Sequence, residues 1–296
     1  GSVHRRMSLQ EPRWLEVRIG APATPDGPGV VADLLVDLGA RGAFEADGWV
    51  VAHFEEPADP EAFVDRVRSV TTRAFGEALT VEHGWQANED WAETWKRGLA
   101  LRRITERIVV RPSWVDPVAG GPDEVEIVID PGMAFGTAEH GTTRGCLRLL
   151  DGRVRPGDRI LDVGAGSGIL SIAAALLGAD SVVAIEGDPL AWEALRDNTQ
   201  ANGAGDRVLV EEAWATADSI AARAPIDGVI ANIERVLLEP LYAGIATAVR
   251  PGGWVILSGI LDSEMDRVVR DVRHVGLTCD RVDADEMWRS LLLTRV

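Results

Sequence analysis

Three glycines at alternate positions, Gly164-Ala165-Gly166-Ser167-Gly168, follow Leu161-Asp162-Val163 and precede an apolar, helix-forming stretch. Glycine lets a chain turn tightly and lets a ligand approach the backbone where a Cβ would block it. The run reads as a strand, a ligand-cradling loop and a helix; the plainer alternative is a tight strand-to-helix turn. The spacing is Gly-x-Gly-x-Gly rather than the Gly-x-Gly-x-x-Gly of dinucleotide sites, which argues against an NAD-linked oxidoreductase. Glu186 closes the next apolar run about 20 residues on, where a carboxylate accepts hydrogen bonds from both hydroxyls of a ribose. Its alternative is a solvent-facing carboxylate. Asn232, in Ile230-Ala231-Asn232-Ile233-Glu234, ends another apolar run. Its side-chain carbonyl can accept a hydrogen bond from an attacking amine and orient the nitrogen lone pair; alternatively it caps the following helix. Upstream, residues 130–143 (DPGMAFGTAEHGTT) form a loop dense in glycine and hydroxyl groups before a helix. A loop of this kind can fold over a ligand. His140 within it is either a general base or a structural or ligand-facing histidine.

The elements that position these groups follow from periodicity. From about Leu147 strands alternate with helices: 159–163, 169–177, 181–186, 190–201, 207–210, a weak helix near 215–223, then 228–232, 236–249, 254–258 and 263–275. Two terminal strands, 277–283 and 288–294, have no helix between them. Such alternation predicts a mostly parallel α/β sheet covered on both faces, with an antiparallel edge strand. The N-terminal region reads differently. A strand at Trp14–Ile19, a helix carrying Val30, Val31, Leu34, Leu35 and Leu38, a hairpin of 43–45 and 49–54 across Asp47-Gly48, a helix with Phe63, Val67 and Val70, and a strand at 79–83 give the order βαββαβ. That order predicts a small α+β ferredoxin-like module. It concentrates no catalytic residue types and is assigned to recognition. The expected domains are 1–84 for recognition, with 1–6 tag-derived or disordered, 85–130 as linker and connector, and 131–296 for catalysis. The connector is marked by Trp85, Trp91, Trp95 and Trp114; Trp91 and Trp95 share a helical face, as core anchors or as a ligand-stacking pair, and strands are expected after them at Arg107–Val110 and Val125–Ile129.

Composition narrows the class. The 296 residues, 46% of them hydrophobic, are enough for a substantial core. The formal charge is −17, and the single lysine is Lys96, so no broad electropositive track for nucleic acid is expected. An acidic surface would steer a basic protein partner, or simply keep the chain dissolved. Cys146 and Cys279 are too few and too separated for a disulfide framework or a zinc cluster, so a reducing cytoplasm and no metal are expected. No run approaches the roughly 18 apolar residues of a membrane span, and no secretory leader is expected.

Taken together, residues 130–143, the Asp162–Gly168 loop, the 184–189 strand end (AIEGDP), Ala231-Asn232-Ile233 and residues 257–261 (LSGIL) resemble the ribosomal protein L-eleven methyltransferases, the PrmA family. The resemblance covers nearly the whole chain. It implies a Rossmann-like class I methyltransferase fold, an N-terminal substrate-recognition domain and S-adenosyl-L-methionine as cofactor. It further implies methylation of lysine ε-amino and N-terminal α-amino groups of a large-subunit ribosomal protein. By the same resemblance Phe135, Gly136, Thr137, His140, Thr142, Asp162, Gly164, Gly166, Gly168 and Glu186 would bind the cofactor, with Asn232 both at the cofactor and at the methyl-transfer position. Three departures stand out. Residues 138–143 read AEHGTT where the family commonly has Gly-Thr-His-Pro-Thr-Thr, Glu186 stands where Asp is frequent, and Glu234-Arg235 replace apolar or small residues after Asn232-Ile233. The same chemistry on another protein or a small-molecule amine, and a non-catalytic adaptor that binds the cofactor, are the competing readings.

Overall fold

The computed structural model describes residues 14–24, 27–40, 43–46, 48–86, 100–117, 120–130, 138 and 140–296. Asp47, the Trp91/Trp95 pair and Phe135, Gly136 and Thr137 lie outside the described residues. The chain divides into two compact units, Gly1–Leu99 and Ala100–Val296.

In the first unit, β1 (Trp14–Gly20), α1 (Gly27–Asp37), β2 (Ala43–Ala46), β3 (Trp49–Glu55), α2 (Pro60–Phe75) and β4 (Val81–Gln86) follow the βαββαβ order. The strands form an antiparallel sheet in the order β2-β3-β1-β4. Alternation along β1 sends Leu15, Val17 and Ile19 into a core with Val31, Leu35, Val64 and Val67 of the helices. Helix α2 starts where Asp59 accepts the Ala62 N–H and stops at Gly76 in the left-handed conformation.

The second unit is built on a seven-stranded sheet. Its strands are β8 (Arg159–Val163), β9 (Ser181–Glu186), β10 (Val208–Glu212), β11 (Ile226–Asn232), β12 (Val249–Leu261), β13 (Leu277–Asp285) and β14 (Trp288–Arg295), in the order β10-β9-β8-β11-β12-β14-β13. All pairings are parallel except those of β14, which inserts between β12 and β13 and runs antiparallel to both. Strands buried on both faces explain the near-continuous apolar runs of β8, β11 and β12. Ile160 belongs to one core layer, with Leu147 and Ile172, while Leu161 and Val163 belong to the other, with Tyr242, Ile245 and Val268. The flanking helices are α3 (Gly141–Leu150), α4 (Ile169–Leu176), α5 (Pro189–Ala201), α6 (Ala217–Ala221), α7 (Arg235–Leu238), α8 (Tyr242–Ala248) and α9 (Met265–His274). Among the described residues no helix is long and apolar enough to cross a membrane.

Two features differ from the sequence expectation. The single helix expected over 236–249 is broken into α7, a 3-10 turn at Glu239–Leu241 and α8, because Pro240 cannot continue an α-helix from within. The strands expected at 107–110 and 125–129 form β6 (Ile108–Arg111) and β7 (Val125–Val128), and an unexpected β5 (Arg102–Arg103) joins them in a three-stranded sheet belonging to the second unit. Ile108, Val110, Ile127 and Ile129 join its core, and Asn202 at the end of α5 bonds both the N–H and the C=O of Val128.

Candidate active site

The chain leaves β8 toward one edge of the sheet through β9 and β10, then returns to place β11 on the other side of β8. This reversal opens a crevice outside the carboxyl ends of β8 and β11, the usual ligand position in such sheets. The glycine loop lies there. Gly164, Gly166 and Gly168 have φ of 73°, 54° and 84°, the left-handed region that side chains disfavour. A Cβ on Gly164 would also stand 2.4 Å from Ile233 Cγ2. The loop is locked from below, with the N–H groups of Gly164 and Ala165 both donating to the Ile185 carbonyl. From the side, Asn198 of α5 donates its amide to the Ser167 carbonyl at 2.9 Å.

Glu186 ends β9 buried, and both of its oxygens are engaged by backbone. Gly166 N–H donates to Oε2 and Asp188 N–H to Oε1, each at 2.7 Å. Carboxylate oxygens carry two lone pairs each, so this clamp still leaves acceptor capacity for a ligand's hydroxyls. Asp162, one strand over, is fully buried. Ser171 donates to its Oδ2 at 2.6 Å, while Oδ1 has no partner. Burial pushes its carboxyl up to about 7; the Ser171 hydrogen bond opposes that shift and the neighbouring Glu186 charge adds to it. An ionised Asp162 therefore wants a donor that the protein does not supply.

Asn232 ends β11 on the far side of the crevice. Its amide donates to Thr143 Oγ1 at 3.4 Å. It does not cap the next helix, since α7 begins three residues later, after Glu234. Arg235, one of the departures that follow Asn232-Ile233, is held in ion pairs to Glu239 at 2.6 Å and Glu264 at 2.8 Å. His140 is buried and caps α3: its Nδ1 accepts the Thr142 N–H and lies 2.5 Å from Thr142 Oγ1, while its ring packs 5.2 Å from Trp288. A lone pair spent on a cap favours the structural over the general-base alternative. Thr142 is itself buried, and its carbonyl accepts from Ser258, which also bonds Ser290 at 2.7 Å. Arg144 bonds Asp285 through two nitrogens and Arg148 bonds both Asp283 and Asp285, holding α3 to the last hairpin. Burial would push Asp285 up, but the two guanidinium groups win and hold it below the usual carboxylate range.

Sequence reasoning missed Asn198, Ser171, Thr143 and Ser258. Thr143 and Ser258 lay within runs already singled out, 130–143 and 257–261, but were given no role of their own, and Ser171 carried a signal as the one hydroxyl in the otherwise apolar Ile169–Leu176 helix.

Comparison with known proteins bears on this site. The family model described as ribosomal protein L11 methyltransferase (PrmA) matches residues 33–296. A ribosomal protein L11 methyltransferase of Pelotomaculum thermopropionicum is 35% identical, across 94% of this chain and 97% of its own. One of Chloroflexus aurantiacus is 33% identical, across 97% and 99%. Among solved structures, a ribosomal protein L11 methylase of Lactobacillus delbrueckii subsp. bulgaricus superposes with a TM-score of 0.59 at 27% identity. It covers 66% of this chain and 98% of its own.

Proposed function

The chain belongs to the ribosomal protein L11 methyltransferase family, and from that premise we propose that it moves methyl groups from S-adenosylmethionine to lysine ε-amino and N-terminal α-amino groups of ribosomal protein L11. The observation that carries the reading is the pairing, on the adjacent strands β9 and β8, of a doubly clamped carboxylate with an orphaned buried one. Glu186 has acceptor capacity left for the ribose hydroxyls, and the unpartnered Oδ1 of Asp162 suits the ammonium group of the amino-acid end. The glycine loop admits a ligand where side chains would collide. Phe135, Gly136 and Thr137 would border the cofactor by their likeness to the family's loop. His140 and Thr142 support that loop's helix.

When bound, the cofactor supplies a methyl group on a sulfonium centre. The chain's own task is alignment. Asn232 Oδ1 accepts a hydrogen from the incoming amine and turns its lone pair toward the methyl, with its amide nitrogen steadied by Thr143. Because charge disperses in the transition state, positioning rather than acid catalysis supplies the acceleration. The amine must arrive neutral, so activity rises with pH through the neutral range while chemistry limits the rate. Incubating undermethylated ribosomal proteins with the enzyme and labelled S-adenosylmethionine, then identifying modified residues by mass spectrometry, tests the reading. Label on L11 amines is expected; label confined to another protein or to small molecules would replace the substrate, and no transfer at all would favour an adaptor.

A further inference from the structure

The end of β9 carries an arrangement that the site as described does not use. Trp214, two residues past the end of β10, is 73% exposed. Its six-membered ring lies over the backbone of Gly187, the residue directly after Glu186. A Cβ built on Gly187 would stand 2.3 Å from Cδ2 of the indole, 2.6 Å from Cε3 and 2.7 Å from Cε2. The indole thus occupies the volume that a side chain at position 187 would fill. The backbone beneath it is held: the Glu186 carbonyl accepts both the Ala213 N–H at 3.0 Å and the Trp192 indole N–H at 2.9 Å. Trp214 therefore stands on a fixed platform, with one face covered by Gly187 and most of its surface open.

We propose that Trp214 is the surface on which the adenine base of the methyl donor stacks, and that residue 187 is glycine so that the indole can take this place. The inference rests on the donor reading above and adds to it the residue that holds the base. Direction follows from strand order. Asn232 on β11 marks the reacting end, the glycine loop after β8 the middle, and Glu186 on β9 the sugar. The base must then extend outward past Glu186 toward β10, where Trp214 presents an aromatic face. Every nucleobase has a π-face to offer, and stacking on an aromatic side chain recurs wherever proteins hold bases. A large exposed indole also gains from covering its apolar surface.

Calorimetric titration with S-adenosylhomocysteine and with 5′-methylthioadenosine, which keeps the base and sugar but lacks the amino-acid end, tests the proposal. Trp214→Ala should weaken both ligands by at least about fivefold, the lower limit for loss of one base–aromatic contact. Trp214→Phe should stay within about threefold of wild type. Unchanged thermal midpoints would show that the platform is intact, as the exposure of Trp214 leads one to expect. Gly187→Leu should weaken binding by displacing the indole, and Gly187→Leu with Trp214→Ala should bind better than Gly187→Leu alone because the collision is gone. If Trp214→Ala binds both ligands as wild type does while Glu186→Ala loses them, the stacking role is wrong and the donor site stands. If wild type binds neither ligand, the donor reading falls and this inference with it.

Discussion

Replacing Glu186 by glutamine keeps the side chain's size and removes a charge and one acceptor, and the geometry makes that a severe change. Both carboxylate oxygens face backbone N–H groups, Gly166 on one side and Asp188 on the other, each at 2.7 Å. A glutamine offers an oxygen to one of them and an NH2 to the other, so one donor must face another donor. Leaving one such group unsatisfied costs about 1–3 kcal/mol, or about 2–4 °C in thermal midpoint per kcal/mol for a unit of this size. The ribose loses as well. Hydrogen bonds to a charged partner contribute about 1.5–3 kcal/mol each, so loss of one weakens the donor at least about tenfold, and loss of both about 100-fold or more. Glu186→Gln should therefore resemble Glu186→Ala rather than wild type when S-adenosylhomocysteine binding is measured by calorimetry and unfolding by scanning calorimetry. A glutamine variant with wild-type affinity and midpoint would refute the clamp; an alanine variant with wild-type affinity would remove Glu186 from the site altogether.

Other outcomes follow from the same geometry. If the Asp162 carboxylate, which titrates at about 7, receives the ligand's ammonium, S-adenosylhomocysteine binding releases a proton below pH 7. Affinity then rises with pH and levels off above 7, and Asp162→Asn abolishes the slope; a pH-independent wild type would contradict the assignment. For stability the sign is opposite: the Asp162 value lies above the unfolded one, so its contribution is fully present below about 3.9 and lost as pH rises through about 7. Asp162→Asn should accordingly gain stability relative to wild type between pH 5 and 8 in denaturant titrations. Asp285 is held low by Arg144 and Arg148, so its contribution is present above about 3.9 and lost as pH falls through its lower folded value. Asp285→Asn should lower the thermal midpoint at pH 7 and flatten the acid limb, and an unchanged acid limb would show that the pairs contribute nothing. Asn232→Ala should lower kcat by at least about tenfold while leaving S-adenosylhomocysteine affinity within about threefold, as expected for a group that aligns the amine. Equal losses in both would move Asn232 into the binding shell.

Local pattern carried most of the fold. The βαββαβ order of the first unit and the alternation of the second could be read because their apolar periods are long and bounded by glycine, proline and capping residues. The strands at 108–111 and 125–128 could be read from their short apolar runs, whereas Arg102–Arg103 was obscured because it is two exposed residues long and is defined only by its pairing with β6. The break at Pro240 was legible in principle, since proline removes a helix donor, but the apolar pattern runs straight through it. At the site, Glu186 and Asn232 stood out as polar residues closing apolar strands. Asn198, Thr143 and Ser258 did not, because their partners lie between 31 and 116 residues away. Trp214 was hidden for a different reason: it stands alone in sequence, apart from the dense tryptophan group at 85–114, and what distinguishes it is the missing side chain at Gly187 beneath it.

The most direct test of the donor site is a crystal structure of the protein with S-adenosylhomocysteine. The expected result has the two ribose hydroxyls within hydrogen-bond distance of Glu186, the amino-acid ammonium at Asp162 and the sulfur facing Asn232. A ligand bound elsewhere, or bound in this crevice with the sugar remote from Glu186, would contradict it.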